Sequence, residues 1–523
     1  MKYLLAILLV ISANAKLLSF AAGIEIKKSG GYAEGAYVEW TGPTSDKYTV
    51  YVKEGSKMTQ LDNMLVRKYS NYYRADAVGL KAGKYSLKVV GKSSGEKETS
   101  AFTVTALDRS GFTFSPQAPT YGKGIGAYNL DGTLKSGAKV LYVTESNKKT
   151  VTMVIKGTKY TGVAAITQNI KEKNKIGPVA IRVIGQVTLD GLESVDMAGS
   201  FAMGVKGASE VTIEGIGNDA TLMCGVAAFQ STNIEIRNLG FMLWGGGHDG
   251  DGITLKKSEG VWVHNNDIFY GEPGADADQV KGDGSMDLKD DSQFVTISYN
   301  HFWDSGKSSL CGMKKETGPN YISYHHNWFD HSDSRHPRIR SMSVHVYNNY
   351  YDGCFSYGVG VTYNGEAFVE NNYFRNVKYP MLISLQGSDK QTGGTFSGEQ
   401  GGLIKAFGNV MKSQKSYITY AKNKVDFDAY EVTNRNEKVP VNVKGKVGGK
   451  VYSNFDTNAS IMYKYTPDNA NDVPALVIAN AGRAQGGDFT FTFSASDDDT
   501  KKANSNLMSK LQAYKSGLVS VGA

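Results

Sequence analysis

Asn266, Asn300, Asn327, Asn349 and Asn372 each follow a short run in which apolar residues stand two apart. The pairs are Val261 and Val263, Val295 and Ile297, Ile322 and Tyr324, Val344 and Val346, and Ala367 and Val369. Each asparagine lies three residues beyond the second apolar position. Another apolar residue follows each by two: Ile268, Phe302, Phe329, Tyr351 and Phe374. The asparagines are separated by 34, 27, 22 and 23 residues, which reads as a coil of about 22 residues carrying variable insertions. One short strand per coil cannot bury its own apolar face, so the coils must stack into parallel sheets around a shared core, a β-solenoid. Asparagine at one recurring turn position can run a ladder of amide hydrogen bonds along the stack and tolerates left-handed backbone. Strands at 211–213 and 234–236 extend the same stack, and the longest insertion precedes Asp283.

The remainder of the chain divides around this array. Residues 1–15 read as a secretory signal, with Lys2, an apolar run from Leu4 to Ile11 and a small-x-small site at Ala13-Asn14-Ala15; its end lies between residues 15 and 22. The apolar run is too short to span a bilayer, and no later stretch qualifies, so an exported protein without a membrane span is expected. Residues 23–107 alternate in the manner of strands, as in Tyr48-Thr49-Val50-Tyr51-Val52, and predict a small β-sandwich. The Trp40 and Tyr48 strands and the turn at Ala82-Gly83-Lys84-Tyr85 resemble a fibronectin type III or immunoglobulin-like module, read as a spacer or a sugar-binding unit. Residues 108–122, with Ser115-Pro116-Gln117-Ala118-Pro119, read as a linker, 123–470 as the solenoid and 471–523 as its C-terminal cap. Three cysteines provide no disulfide framework, and a Cys311–Cys354 bridge is permitted but not dictated.

Charge carries more information locally than in total. Lys and Arg exceed Asp and Glu by 58 − 51 = 7, which suits an anionic partner without naming one. Between residues 249 and 291 there are 11 acids and 4 bases; between 307 and 340 there are 6 bases and 3 acids. An acidic half followed by a basic half fits a cation and an anionic ligand held side by side, and it disfavours a plain basic surface for nucleic acid. All eight histidines fall between His248 and His345, so chemistry is expected to concentrate there. Asp249 and Asp251 stand two apart and Asp283 and Asp287 four apart, even offsets that put each pair on one strand face. Four such carboxylates suit Ca²⁺, although they lack the EF-hand spacing. They also read as solvated loop acids or as a hydrolytic pair. Zinc is disfavoured, since the histidines show neither an HExxH pattern nor paired cysteines. Lys307 and the run Arg335-His336-Pro337-Arg338-Ile339-Arg340 supply the cations, and arginine forks match carboxylates bidentately.

These residues carry a family resemblance. Residues from about 120 to 440 resemble the pectate lyases of polysaccharide lyase family 1, a right-handed parallel β-helix family. The likeness begins at Gly126-Ala127-Tyr128-Asn129 and Leu141-Tyr142-Val143-Thr144. It is most specific at Tyr324-His325-His326-Asn327 followed by Arg335-x-Pro337-x-x-Arg340. The resemblance implies an all-β chain, a right-handed parallel β-helix preceded by a small β-sandwich. It further implies Ca²⁺-dependent β-elimination in polygalacturonate by a monomeric, secreted enzyme. By motif, Asp249 and Asp251 form the first calcium-binding pair and Asp283 and Asp287 the second. The family often has Glu at the first position of that second pair, so the shorter Asp283 is expected to reach calcium indirectly. Lys307 and Arg340 match substrate-binding residues and Arg335 the catalytic base. At Trp262-Val263-His264-Asn265 the chain departs from the family pattern, and His264 is assigned no chemical role. The rival readings are a pectin lyase acting on methyl-esterified polymer, a β-helix polygalacturonase, and a non-catalytic polysaccharide-binding β-helix.

Overall fold

The computed structural model describes residues 23–193, 202–245, 250–274 and 279–522. The signal-like residues 1–15 and Asp249 lie outside them.

Residues 23–107 form two antiparallel sheets face to face. One holds Glu25–Tyr32, Gly35–Thr41, Tyr73–Val78 and Val66–Tyr69; the other holds Tyr48–Glu54, Lys57–Gln60, Gly83–Gly91, Gly95–Glu98 and Phe102–Val104. Alternating inward residues meet between them around Trp40, which is fully buried and stacks on Tyr73 with ring centroids 5.6 Å apart. The sandwich sits on the first coils through buried polar contacts. Arg67 pairs with Asp76 and donates to the Ile216 carbonyl at 2.8 Å, while the Tyr69 hydroxyl reaches Asp219 at 3.0 Å.

The solenoid is a parallel β-helix. Its strands run through one sheet of eighteen strands and another of eight, every pairing within each being parallel. The predicted strands stack in the predicted register: Val261, Val295, Ile322, Val344 and Ala367 are successive partners. The residues two beyond the last four of these asparagines form an aromatic column inside the stack. Phe302 and Phe329 are 4.8 Å apart, Phe329 and Tyr351 5.1 Å, and Tyr351 and Phe374 4.3 Å, all nearly parallel.

The asparagine ladder forms as a continuous chain. Each side-chain amide donates to the next side-chain carbonyl, from Asn266 through Asn300, Asn327, Asn349 and Asn372 to Asn409, at 2.9–3.1 Å. The left-handed backbone falls one residue earlier than expected. Asn265, Tyr299, His326, Asn348 and Asn371 have φ of 50–54°, leaving the ladder residue itself free to turn inward. Asn327 also donates to the Ile297 carbonyl and accepts the Asn300 backbone N–H. Asn327→Ala therefore strands several buried groups, each costing about 1–3 kcal/mol. Denaturant unfolding should show the variant less stable by about 3 kcal/mol or more, with the slope of the transition unchanged.

Two stretches take courses the sequence reading did not foresee. Residues 108–122 are no free linker. Phe112 is fully buried against Tyr321, Phe455 and Tyr463, and Thr113 bonds to the Val261 carbonyl at 2.7 Å. Residues 471–523 run along the flank of the coils instead of capping their end. Arg483 bonds to Asp267 at 2.8 Å, Asp498 to Arg375 at 2.7 Å, and Phe489 packs on Phe269 and Trp303. The chain then closes on its own beginning, with Leu518–Val521 pairing antiparallel to Val66–Tyr69 of the sandwich. The outward aromatics Phe269 and Trp303 need cover, and the tail supplies it. Cys224, Cys311 and Cys354 are buried free thiols. Among the described residues no helix is long and apolar enough to cross a membrane.

Candidate active site

The eight-stranded sheet gathers most of the residues singled out from the sequence. In its strands Ile253–Lys256, Met286–Lys289, Leu310–Cys311 and Arg338–Arg340, alternate residues Leu288, Cys311 and Ile339 point into the core. The intervening positions therefore face outward. Asp287 pairs with Thr254, Arg338 with Leu310, and Arg340 with Thr362. Just before these strands, Gly284 bridges to Lys307, and the Arg335 carbonyl accepts the Ser309 N–H at 2.7 Å. Asp287 and Arg338 stand two strands apart, roughly 10 Å along the stack. Leu310 stands between them in the same outward row.

On the acidic side, Asp251 Oδ2 accepts from Thr254 at 2.8 Å and from the Lys289 ammonium at 2.5 Å. Its Oδ1 is buried with no hydrogen-bond partner among the described residues. Asp287 Oδ1 accepts the Leu310 N–H at 2.9 Å, and its Oδ2 lies 3.6 Å from Lys289. Gly284 makes room for this carboxylate, since a Cβ there would lie 2.6 Å from Asp287 Oδ1. Asp283 turns toward Lys307 instead, at 3.2 Å. Burial, and next the charge of Asp287, push the Asp251 carboxyl up to about 7. Burial opposes the charge on Lys289, yet Asp287, Asp251 and Asp283 together hold its pKa above the ordinary lysine value. Two carboxylates, Asp251 and Asp287, share the single Lys289 ammonium, and Asp251 Oδ1 is left without a partner among the described residues, a donor chemistry of hard oxygens that fits a divalent cation.

On the basic side, Glu399 organises the arginines. Arg340 grips it in a bidentate fork at 2.9 and 2.7 Å, with Arg338 at 3.1 Å and Lys314 at 3.0 Å. Burial works against this carboxylate, but Arg340, Lys314 and Arg338 hold it down to about 2. Arg338 registers the crowding of cations: burial first, then Arg340 and Arg335, lower its pKa below the ordinary arginine value. Arg335 has no salt bridge among the described residues. Its neighbour His336 is fully buried, held near 4 by burial, and anchored by Nδ1 at 2.6 Å from the Tyr357 carbonyl. Lys281 spans the loops on either side, contacting Asp304 at 2.5 Å and Asp333 at 2.6 Å, and so fixes the approach to Asp283 against the approach to Arg335.

Asp251, Asp283, Asp287, Lys307, Arg335 and Arg340 are thus brought to one face, and Asp249 lies outside the described residues. Lys289, Lys281 and Glu399 were missed. Lys289 was within reach of the parity argument, standing two residues after Asp287 on the same strand. The gathered residues do fall within the span that holds all the histidines, but the described histidines are not among them. His264, His301, His325, His326, His331, His336 and His345 are all buried, and His264 is a packing residue stacked on Trp262 at 3.7 Å with Glu235 at 3.2 Å.

Comparison with known proteins settles the family. A family model described as pectate lyase matches residues 104–485. The chain belongs to the pectate lyase family. It is therefore a polysaccharide lyase. It is 30% identical over 276 residues to pectate lyase 3 of Pectobacterium carotovorum, covering 52% of this chain and 67% of that one. It is 32% identical over 216 residues to the pectate trisaccharide-lyase of Bacillus licheniformis, covering 41% and 60%. Pectate lyase II from Xanthomonas campestris pv. campestris aligns with a TM-score of 0.48 at 23% identity, over 72% of this chain and 98% of that structure. The pectate lyase match begins at the last strand of the sandwich and takes in every one of the gathered site residues.

Proposed function

We propose that this cleft cleaves polygalacturonate by calcium-dependent β-elimination, yielding 4,5-unsaturated oligogalacturonides. The observation that carries the proposal is that one sheet brings the Asp251 and Asp287 carboxylates, which share Lys289 and leave Asp251 Oδ1 unpartnered among the described residues, together with the cations Lys307, Arg335 and Arg340 on its next coils. Asp251, Asp283 and Asp287, with Asp249 from the family motif, would hold the calcium. When bound, calcium supplies positive charge that neutralises a uronate carboxylate and stabilises the enolate-like charge developing beside it.

The chain's own residues do the rest. Lys307 and Arg340 bind the uronate carboxylates, Arg340 kept in place by its fork to Glu399. Arg335 takes the proton from C5; the electron pair forms the C4=C5 double bond, and the C4–O4 bond breaks. The departing oxygen takes up a proton, and no water adds across the cleaved bond. Guanidinium ordinarily keeps its proton, with a pKa above about 12. The nearby carboxylate Glu399 is taken by Arg338 and Arg340 and not by Arg335. Methyl-esterified pectin presents no such charge to neutralise, so the retained acids favour the unesterified polymer. The start of the chain at residues 1–15 supports export to where that polymer is found.

Incubation with polygalacturonate should raise the ultraviolet absorbance of unsaturated uronate, and chelator should abolish the rise while added calcium restores it. Cleavage that persists in chelator without unsaturated product would mean hydrolysis and sink the proposal.

A further inference from the structure

Away from the cleft, on the eighteen-stranded sheet, two adjacent histidines face each other. His325 ends the strand Ile322–His325, and His326 follows in left-handed backbone. Both rings are buried, His325 stacked on Tyr347 at 4.8 Å and His326 on Tyr299 at 4.6 Å. Their Nδ1 atoms are 2.9 Å apart. The opposite nitrogens both meet pure acceptors: His326 Nε2 lies 2.8 Å from Asp468 Oδ2, and His325 Nε2 lies 3.3 Å from the Ser110 carbonyl.

That arrangement decides the tautomers. A carboxylate and a carbonyl only accept, so each Nε2 carries the hydrogen, and a neutral ring has only one to give. Both Nδ1 atoms then aim lone pairs at each other, which is repulsive unless a cation lies between them. Turning either ring over would set carbon against Asp468 or Ser110 and lose that bond. A third donor stands beside the pair. Asp108 Oδ2 is 4.0 Å from His325 Nδ1, and donor atoms of Asp108, His325 and His326 all lie within 4.8 Å of one another. The Asp108 side chain is 41% exposed, so the group opens to solvent on that side.

We propose that Asp108, His325 and His326 form a binding site for a divalent transition-metal ion of the zinc class. Two imidazole nitrogens and a carboxylate oxygen, with water in the fourth position, suit such an ion. Ligand nitrogens about 2.0–2.1 Å from zinc lie roughly 3.3 Å apart in a tetrahedron, so the rings part slightly and the exposed Asp108 closes in. Asp468 and the Ser110 carbonyl are the outer partners that fix the ring orientations. Asp108 comes from the segment leaving the sandwich and Asp468 from the chain beyond the last coils, so a bound ion would clamp both to the stack.

The test uses the full chain, stripped with chelator and then held in excess calcium so that the acidic cleft is occupied. Titration with zinc chloride should show one saturable site per chain and a rise in Tm. Cobalt(II) should give visible absorption bands of a tetrahedral site. Asp108→Asn and His326→Gln should each weaken zinc binding at least tenfold. His331→Gln, in the separate cluster where Asp352 is already paired with Arg375, should leave it unchanged. No saturable uptake, as expected if the two rings merely share a proton, overturns the proposal. So does uptake that Asp108→Asn leaves unaltered; this exposed substitution carries the test even if His326→Gln fails to fold.

Discussion

Arg335→Lys should leave the cleft able to bind oligogalacturonides while lowering kcat by about 10³-fold, within the range of a lost general base. The substitution keeps one positive charge, so long-range attraction to the polymer survives. It replaces a planar fork with a shorter, strongly hydrated ammonium on a flexible stem, and the base no longer sits where the C5 proton is. Lys307 and the Glu399-held Arg340 still meet the carboxylates, which is why binding persists. Initial rates at saturating substrate give kcat, and calorimetry on the inactive variant gives the dissociation constant free of turnover. A kcat within threefold of the wild type would remove Arg335 from its role. A parallel loss of binding would instead make it a substrate clamp like Arg340.

The parts of this molecule that repeat were readable in one dimension, and the parts that close over distance were not. The ladder from Asn266 to Asn372 announced itself because every coil imposes the same inward turn, and period-two apolar runs left no other face to bury. Parity turned Asp287 outward opposite Thr254, but Asp251 precedes its strand and meets that side only through Thr254 and Lys289. Parity overreached for Asp283, which precedes its strand and turns to Lys307 at 3.2 Å. It was underused for Lys289, whose ammonium stands among the carboxylates as their resident counter-charge. Glu399 was out of reach altogether, because 59 residues separate it from the Arg340 it grips. The tail was equally hidden: Arg483 meets Asp267 across 216 residues, a pairing that no local pattern encodes. The histidines marked the right span, yet His264 and His345 themselves are structural, for a physical reason. In a stack, imidazoles pile on aromatic rings and bond to buried acids as readily as they do chemistry, as His264 and His345 do.

Calcium affinity should fall about tenfold for each pH unit below about 7 and become flat above it. The cause is Asp251. In the metal-free protein its carboxyl is pushed up to about 7, by burial first and then by Asp287, from an ordinary value of 3.8. A calcium ion binding below that pH must displace the proton; above it, the carboxylate is already bare. Calorimetry in buffers of different ionisation enthalpy should find close to one proton released per calcium at pH 6 and almost none at pH 8. The linkage to folding has the opposite sign. A carboxyl whose folded pKa is raised contributes stability fully below about 3.8, and that contribution is lost as pH climbs through about 7. The rise in Tm on adding calcium should therefore grow between pH 5.5 and 8, because the ion relieves a charge that the fold alone tolerates poorly. Asp251→Asn removes both the proton and the charge. It should weaken calcium binding at pH 8 and abolish the pH dependence below 7, while making the metal-free protein more stable at alkaline pH. An affinity that stays constant from pH 5.5 to 8 in the wild type would separate Asp251 from the ion, and leave Lys289 as the cation this cluster was built to hold.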